Sequence, residues 1–187
     1  MQRKAAFIDR DGVINEERNY VHQVDDFVLL PGVSEGMRML HEAGYLLIVI
    51  TNQAGVARGY YGLDAVDTLH QHMRELFRRQ GVELNGIYIC PHHPQGSDPD
   101  FAIECDCRKP APGMLLQAAM DFNIDLPNSV LIGDKLSDIE AGRRAGLTKL
   151  VLVESGHAIP AEARADCKRI APNLLEAARL LTSTSTF

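Results

Sequence analysis

Five short apolar runs, spaced along the chain and separated by segments of helical period, limit what this sequence can fold into more than any other feature. Residues 4–9, 46–51, 85–90, 128–133 and 148–153 read as strands. Apolar residues at helical spacing mark 34–43 (with Val33, Met37 and Leu40), 64–80 (Val66, Leu69, Met73, Leu76, Phe77), 112–122 and 137–145. Alternation of this kind predicts an α/β fold, a Rossmann-like parallel sheet with helices on both faces. Pro31-Gly32-Val33-Ser34 marks the start of the first helix, and Gly44 suits the position just past its end. A last helix is expected over 172–182, starting at Pro172, with a tail at 183–187 that frays. At 187 residues the chain is long enough for one substantial core and short for two, so a single domain over 1–187 is expected.

The ends of these runs carry the polar residues. The first stops at Asp9-Arg10-Asp11-Gly12. Side chains two residues apart at a strand end face the same way, so both carboxylates enter the crevice where open α/β sheets bind ligands. Such a pair repels unless a hard cation lies between its members or one of them keeps its proton. Further on, 45–50 leads into Thr51-Asn52-Gln53, a long interval ends at Arg108-Lys109-Pro110, and 130–132 leads into Gly133-Asp134-Lys135 with Asp138 beyond. Taken singly, Thr51 reads as a helix N-cap, Lys109 as a solvated charge and Gly133-Asp134 as a turn. All four following buried strands in this order point instead to one site for phosphate chemistry.

A second cluster lies in the interval. Cys90, His92, Cys105 and Cys107 form a four-ligand set for tetrahedral Zn2+, with His93 as an alternative ligand. Without a clamp, Pro91 to Arg108 would be an eighteen-residue loop poor in apolar residues. A disulfide is the weaker reading where thiols stay reduced. Cys167 reads as an ordinary thiol. Four protein ligands make a closed, structural site, and Arg108 and Lys109 follow its last ligand directly, so a zinc-clamped loop would fix both cations.

The ordered Asp-x-Asp, Thr, Lys and terminal acidic motifs resemble those of the haloacid dehalogenase-like hydrolase superfamily, over residues 5 to about 155. The resemblance implies Mg2+-dependent phosphomonoester hydrolysis. Asp9 would be the nucleophile and Asp11 the general acid and base, with Thr51 and Lys109 completing the catalytic set. Mg2+ would be held by Asp9, the backbone carbonyl of Asp11 and Asp134, with Asp138 in its outer shell. The intervals on either side of Thr51 leave no room for the inserted cap of larger relatives, so a capless enzyme is implied. Its selectivity would come from loops 15–22, 53–60 and 93–108. Contacts to substrate are expected from Glu17, Arg18, Asn19, Tyr20, Thr51, Asn52, Gln53, Ala54, Arg108, Lys109 and Lys135, Arg108 reading a second phosphate. Cys-Pro-His and Cys-x-Cys-Arg-Lys-Pro narrow the resemblance to the zinc-containing phosphatases, the heptose bisphosphate and histidinol phosphate types. The twelve residues between His92 and Cys105, and Tyr20-Val21-His22, look like the heptose type, although Asn19 stands where glycine is expected.

Composition excludes several alternatives. The 45% apolar and 24% charged residues are those of a folded domain, and the longest apolar stretch is too short to cross a bilayer. A net charge of −6 argues against nucleic acid as partner. A cytoplasmic monomer acting on a small phosphorylated sugar, away from membranes, is expected. Two other classes compete. A receiver-type phospho-acceptor switch shares the residue types but carries its acceptor Asp on a middle strand, whereas Asp9 follows the first. A zinc-stabilised binding module leaves Asp9, Asp11, Thr51, Lys109 and Asp134 without a purpose.

Overall fold

The computed structural model describes residues 2–183. The expected fraying of the tail concerns residues that, Ser183 apart, lie outside those described.

Strands β1 (Ala5–Ile8), β2 (Leu46–Asn52), β3 (Gly86–Cys90), β4 (Val130–Gly133), β5 (Lys149–Val153) and β6 (Ile170–Ala171) form a parallel sheet in the order β3-β2-β1-β4-β5-β6. Around it lie α1 (Val33–Glu42), α2 (Ala54–Ala57), α3 (Leu63–Arg79), α4 (Gly113–Phe122), α5 (Leu136–Ala145), α6 (Ala161–Asp166) and α7 (Leu174–Thr182). Every residue of β1 and β4 is buried, as strands covered on both faces must be. The period of two sorts them into two cores. Ala6, Ile8, Val49, Val130 and Ile132 pack with Met37 of α1, Met73 and Phe77 of α3 and Leu174 of α7. Ala5, Phe7, Ile48, Ile50 and Leu131 pack on the other face with Leu115 of α4, Ile139 of α5 and Ala163 of α6.

The chain runs outward from β1 to β3, then returns to the centre and runs the other way from β4. The order in which strands are added therefore reverses between β1 and β4, and the crevice at that switch is where the fold offers a ligand site. Asp9 leaves β1 and Asp134 leaves β4 on opposite sides of it. Among the described residues the intervals before and after Thr51 hold only α1 with a short turn of 3-10 helix (Val24–Asp26), then α2, α3, β3 and the cysteine-bearing loop, with no inserted domain.

The long elements match the expected ones to within two residues. Four short ones carry no readable period: the 3-10 turn, α2, α6 and β6. Ala43 caps α1 and Gly44 follows it in the left-handed region (φ 85°), as expected of glycine there. The last helix starts later than Pro172, because the Asn173 side chain accepts the Glu176 backbone N–H at 3.0 Å and caps it.

Phe7 is wholly buried beneath α4 and α5, so Phe7→Ala should lower unfolding stability by about 3–5 kcal/mol in a urea titration. A loss under about 1 kcal/mol would mean that this face of the sheet is loosely packed.

Candidate active site

Asp9 lies at the end of β1, its backbone N–H donating to Ile132 of β4 at 3.0 Å. Its carboxylate accepts the backbone N–H of Arg10 at 2.8 Å and lies 2.8 Å from the Lys109 ammonium. Lys109 is buried to 4% exposure; its ammonium donates to the Ile50 carbonyl at 3.1 Å and forms ion pairs with Asp9 and, at 2.6 Å, with Asp138. Burial opposes that charge, but Asp138 and Asp9 outweigh burial and hold Lys109 above its ordinary range. Asp138, in the first turn of α5, also accepts the Lys135 backbone N–H at 3.0 Å through its other oxygen. This cradle was expected only as an outer-shell role for Asp138.

Lys109 is fixed from its backbone as well. The Asn52 side-chain amide accepts the Lys109 N–H at 3.1 Å and donates to the Lys109 carbonyl at 3.2 Å. Asn52, expected to touch substrate, thus has its amide engaged in holding the cation. Thr51 is buried beside it and accepts Gln53 Nε2 at 2.8 Å.

Asp9, Asp134 and Asp138 present carboxylate oxygens within 4.8 Å of one another. Burial, partly offset by Lys109 but reinforced by the charges of Asp138 and Asp134, pushes Asp9 up to about 8. Burial likewise raises Asp134. The Asp134 Oδ2 atom lies 2.5 Å from His157 Nδ1, whereas Oδ1 is buried with no hydrogen-bond partner. An orphaned carboxylate oxygen facing two other acids fits a hard cation and little else. Backbone approaches so closely here that only glycine is tolerated: a Cβ on Gly12 or Gly156 would fall 2.4 or 2.1 Å from Asp134 Oδ2. The Ser155 hydroxyl, donating to the Gly12 carbonyl at 2.7 Å, ties the two loops together.

Asp11 is held apart from this group. It accepts Arg10 Nη2 at 2.9 Å on each oxygen, Asn15 Nδ2 at 3.0 Å and Gln53 Nε2 at 3.3 Å, and Tyr61 steadies Gln53 through a 3.0 Å bond.

Asp9, Asp11 and Asp138 open into a cavity of about 520 Å3. Glu17, Asn19, Tyr20, Thr51, Asn52, Gln53, Ala54, Arg108, Lys109 and Lys135, all expected contacts, line it. Arg18 does not; its guanidinium pairs with Glu16 at 2.6 Å in solvent. Asn19 and Tyr20 both adopt the left-handed region (φ 58° and 60°), so the asparagine sits where glycine was expected and takes glycine's conformation. Sequence reasoning missed Arg58, Tyr61, His93 and His157 as wall residues. Arg58 and His93 approach to 3.5 Å, and burial together with the Arg108 and Arg58 cations pulls His93 below its ordinary range. Arg58 and His93 fall inside the selectivity loops 53–60 and 93–108, whereas nothing in the sequence marked Tyr61 or His157.

The cysteine cluster forms at the neck of the loop that carries His93. Sγ of Cys105 lies 3.6 Å from Cys90 and 3.4 Å from Cys107, and His92 Nδ1 lies 3.9 and 3.3 Å from Cys90 and Cys107. Ligands about 2.3 Å from a central zinc stand about 3.8 Å apart, so these separations fit the edges of one tetrahedron. A neighbouring Cys107 thiol and burial push Cys90 above its ordinary range, a cost that a bound cation would remove. His93 faces the cavity and is no part of the cluster. Cys167 is a buried core thiol near the Leu150 and Arg169 carbonyls.

Residues 106–177 match the family described as HAD-hydrolase-like. The chain is 46% identical over 154 residues to D-glycero-alpha-D-manno-heptose-1,7-bisphosphate 7-phosphatase of Photorhabdus laumondii, covering 82% of this chain and 84% of that one. It is 47% identical over 163 residues to the corresponding beta-heptose enzyme of Haemophilus ducreyi, covering 87% and 89%. A crystal structure of the D,D-heptose 1,7-bisphosphate phosphatase of B. bronchiseptica, complexed with magnesium and phosphate, superposes with a TM-score of 0.83 at 29% identity, covering 97% of this chain and 99% of that one. With this degree of likeness along nearly its whole length, the chain belongs to the haloacid dehalogenase-like hydrolases and is a phosphatase of that superfamily.

Proposed function

We propose that this phosphatase removes the 7-phosphate of a D-glycero-D-manno-heptose 1,7-bisphosphate through an aspartyl phosphate on Asp9. The observation that carries the substrate reading is a surplus of cations. Lys109 is fully engaged by Asp9, Asp138 and Ile50, yet the same cavity also holds the guanidinium groups of Arg58 and Arg108, which the hydrolysis of one phosphate leaves unused. A second anionic group on the substrate would use them, and the named activity of both curated relatives is on a bisphosphate.

Asp9 attacks phosphorus in line with the leaving alkoxide, and the covalent intermediate divides a difficult hydrolysis into two steps. Mg2+, bound by Asp9, Asp134 and the Asp11 carbonyl, would neutralise the nucleophile and the phosphoryl oxygens. Lys109 contributes the fixed positive charge opposite, already oriented before substrate arrives. Thr51 and Lys135 line the cavity and would hold the remaining phosphoryl oxygens. Asp11 protonates the leaving oxygen, then takes a proton from the water that attacks the aspartyl phosphate, a role worth typically ~10²–10⁴-fold. Zinc in the cysteine cluster would act at a distance from these events, by fixing the ends of the loop that presents His93, Arg108 and Lys109.

Phosphate release from heptose 1,7-bisphosphate, fructose 1,6-bisphosphate and histidinol phosphate at matched low concentration tests the assignment. The heptose ester should turn over fastest, Asp9→Asn should abolish release, and Arg108→Ala should impair the bisphosphate more than a simple monoester. Faster turnover of histidinol phosphate would reject the substrate.

Because burial and the neighbouring acids hold Asp9 near 8 in the absence of cation, its proton must leave when Mg2+ binds. Mg2+ affinity, measured by calorimetry, should therefore rise by up to about tenfold per pH unit from pH 6 to 8 and level off above. An affinity flat across that range would remove Asp9 from the ligand set.

Zinc should copurify at about one ion per chain and survive EDTA concentrations that strip Mg2+. Cys105→Ala should lower Tm and phosphate release together, and a folded, active preparation without zinc by elemental analysis would refute the clamp.

A further inference from the structure

Arg10 is wholly buried, the largest such side chain among the described residues, and no step of hydrolysis uses it. A guanidinium in that position is tolerable only if its donors are satisfied. Nη2 spans both oxygens of Asp11 at 2.9 Å, with Nε at 3.2 Å from Oδ1, and Nη2 also donates to the Val21 carbonyl at 2.6 Å. On the far side, Nη1 lies 3.0 Å from Nε2 of His70, a residue of α3 that is itself buried to 7% exposure between Leu69 and Met73 of the core face. Because the arginine can only donate, His70 Nε2 accepts and its ring proton is on Nδ1. Burial and the adjacent Arg10 charge pull His70 down to about 3, which keeps it neutral and an acceptor at any working pH.

The guanidinium is a rigid planar fork. Anchoring Nη1 on His70 and Nη2 on Val21 fixes its plane, and the plane fixes where the Asp11 carboxylate rests. We propose that His70, acting through Arg10, is a positioning residue for the general acid and base: it holds the fork that aims Asp11 at the leaving oxygen. The proposal rests on the role given to Asp11 above. Proton transfer needs heavy atoms within hydrogen-bond reach, so a small tilt of the fork weakens it while leaving nucleophilic attack by Asp9 intact.

The consequence depends on the leaving group. In kcat/KM, which reports events up to formation of the aspartyl phosphate, p-nitrophenolate departs without a proton, whereas the alkoxide of a sugar phosphate needs one from Asp11. For His70→Leu, kcat/KM on heptose 1,7-bisphosphate should fall by about tenfold or more, and on p-nitrophenyl phosphate by less than about threefold. Asp11→Asn should show the same split on a larger scale. His70→Gln, whose amide oxygen reaches the position of Nε2, should restore the sugar substrate to within about threefold of wild type. If circular dichroism shows His70→Leu to be unfolded, His70→Asn, polar but too short to reach Arg10, carries the same comparison. Equal losses on both esters, or no loss on either, would overturn the inference while leaving the phosphatase assignment standing. A wild-type enzyme that turns over p-nitrophenyl phosphate but not the heptose ester would overturn the substrate reading instead, and the comparison then runs on fructose 1,6-bisphosphate.

Discussion

Everything at the carboxyl end of the sheet depends on one buried ammonium group. Asp9, Asp134 and Asp138 converge within a few ångströms in a region nearly closed to solvent, and without compensation their mutual repulsion would drive the loops apart or leave the acids protonated. Lys109 supplies one compensating charge, fixed by ion pairs with Asp9 and Asp138, by a hydrogen bond to the Ile50 carbonyl and by the Asn52 amide on its own backbone. It comes from a distant part of the chain, so the fold must bring the interval after β3 back across the top of β2. The orphaned oxygen of Asp134 marks where that compensation stops and where a further cation would fit.

This division of charge also separates two tasks that the sequence places two residues apart. Asp9 sits among other acids beside Lys109, whereas Asp11 is turned toward Arg10, Asn15 and Gln53. Identical side chains thereby occupy unlike surroundings, the difference that the proposed nucleophile and proton carrier would need. The switch between β1 and β4 makes it available, since the chain fans out on both sides of the crevice.

The sequence allowed the sheet, the long helices and the linear motifs to be read because each is written locally, in a period or a short string. Asp9, Asp11, Thr51 and Asp134 follow apolar runs, Lys109 stands in the string Arg108-Lys109-Pro110, and the thiols are spaced as ligands. Other parts depend on which helix lands on which loop. His70 reads as one polar position on the buried face of α3, and nothing near it in sequence reveals that Arg10 lies opposite. His157 is reached only when the loop after β5 folds against Gly12. Asn52 was legible as a residue of the site but not as a brace for Lys109, because its partner is 57 positions away. The short elements α2, α6 and β6 escape for a simpler reason: two to six residues are too few to display a period.

The pinched neck at Cys90, His92, Cys105 and Cys107 has an evolutionary consequence. Twelve residues leave and re-enter it, and their two ends are pinned side by side whatever lies between. That segment can be lengthened, shortened or rewritten without transmitting strain to Lys109, as a loop in a rope can change size without moving the knot. The cavity wall that this segment supplies through His93 can then change while Lys109 stays in place.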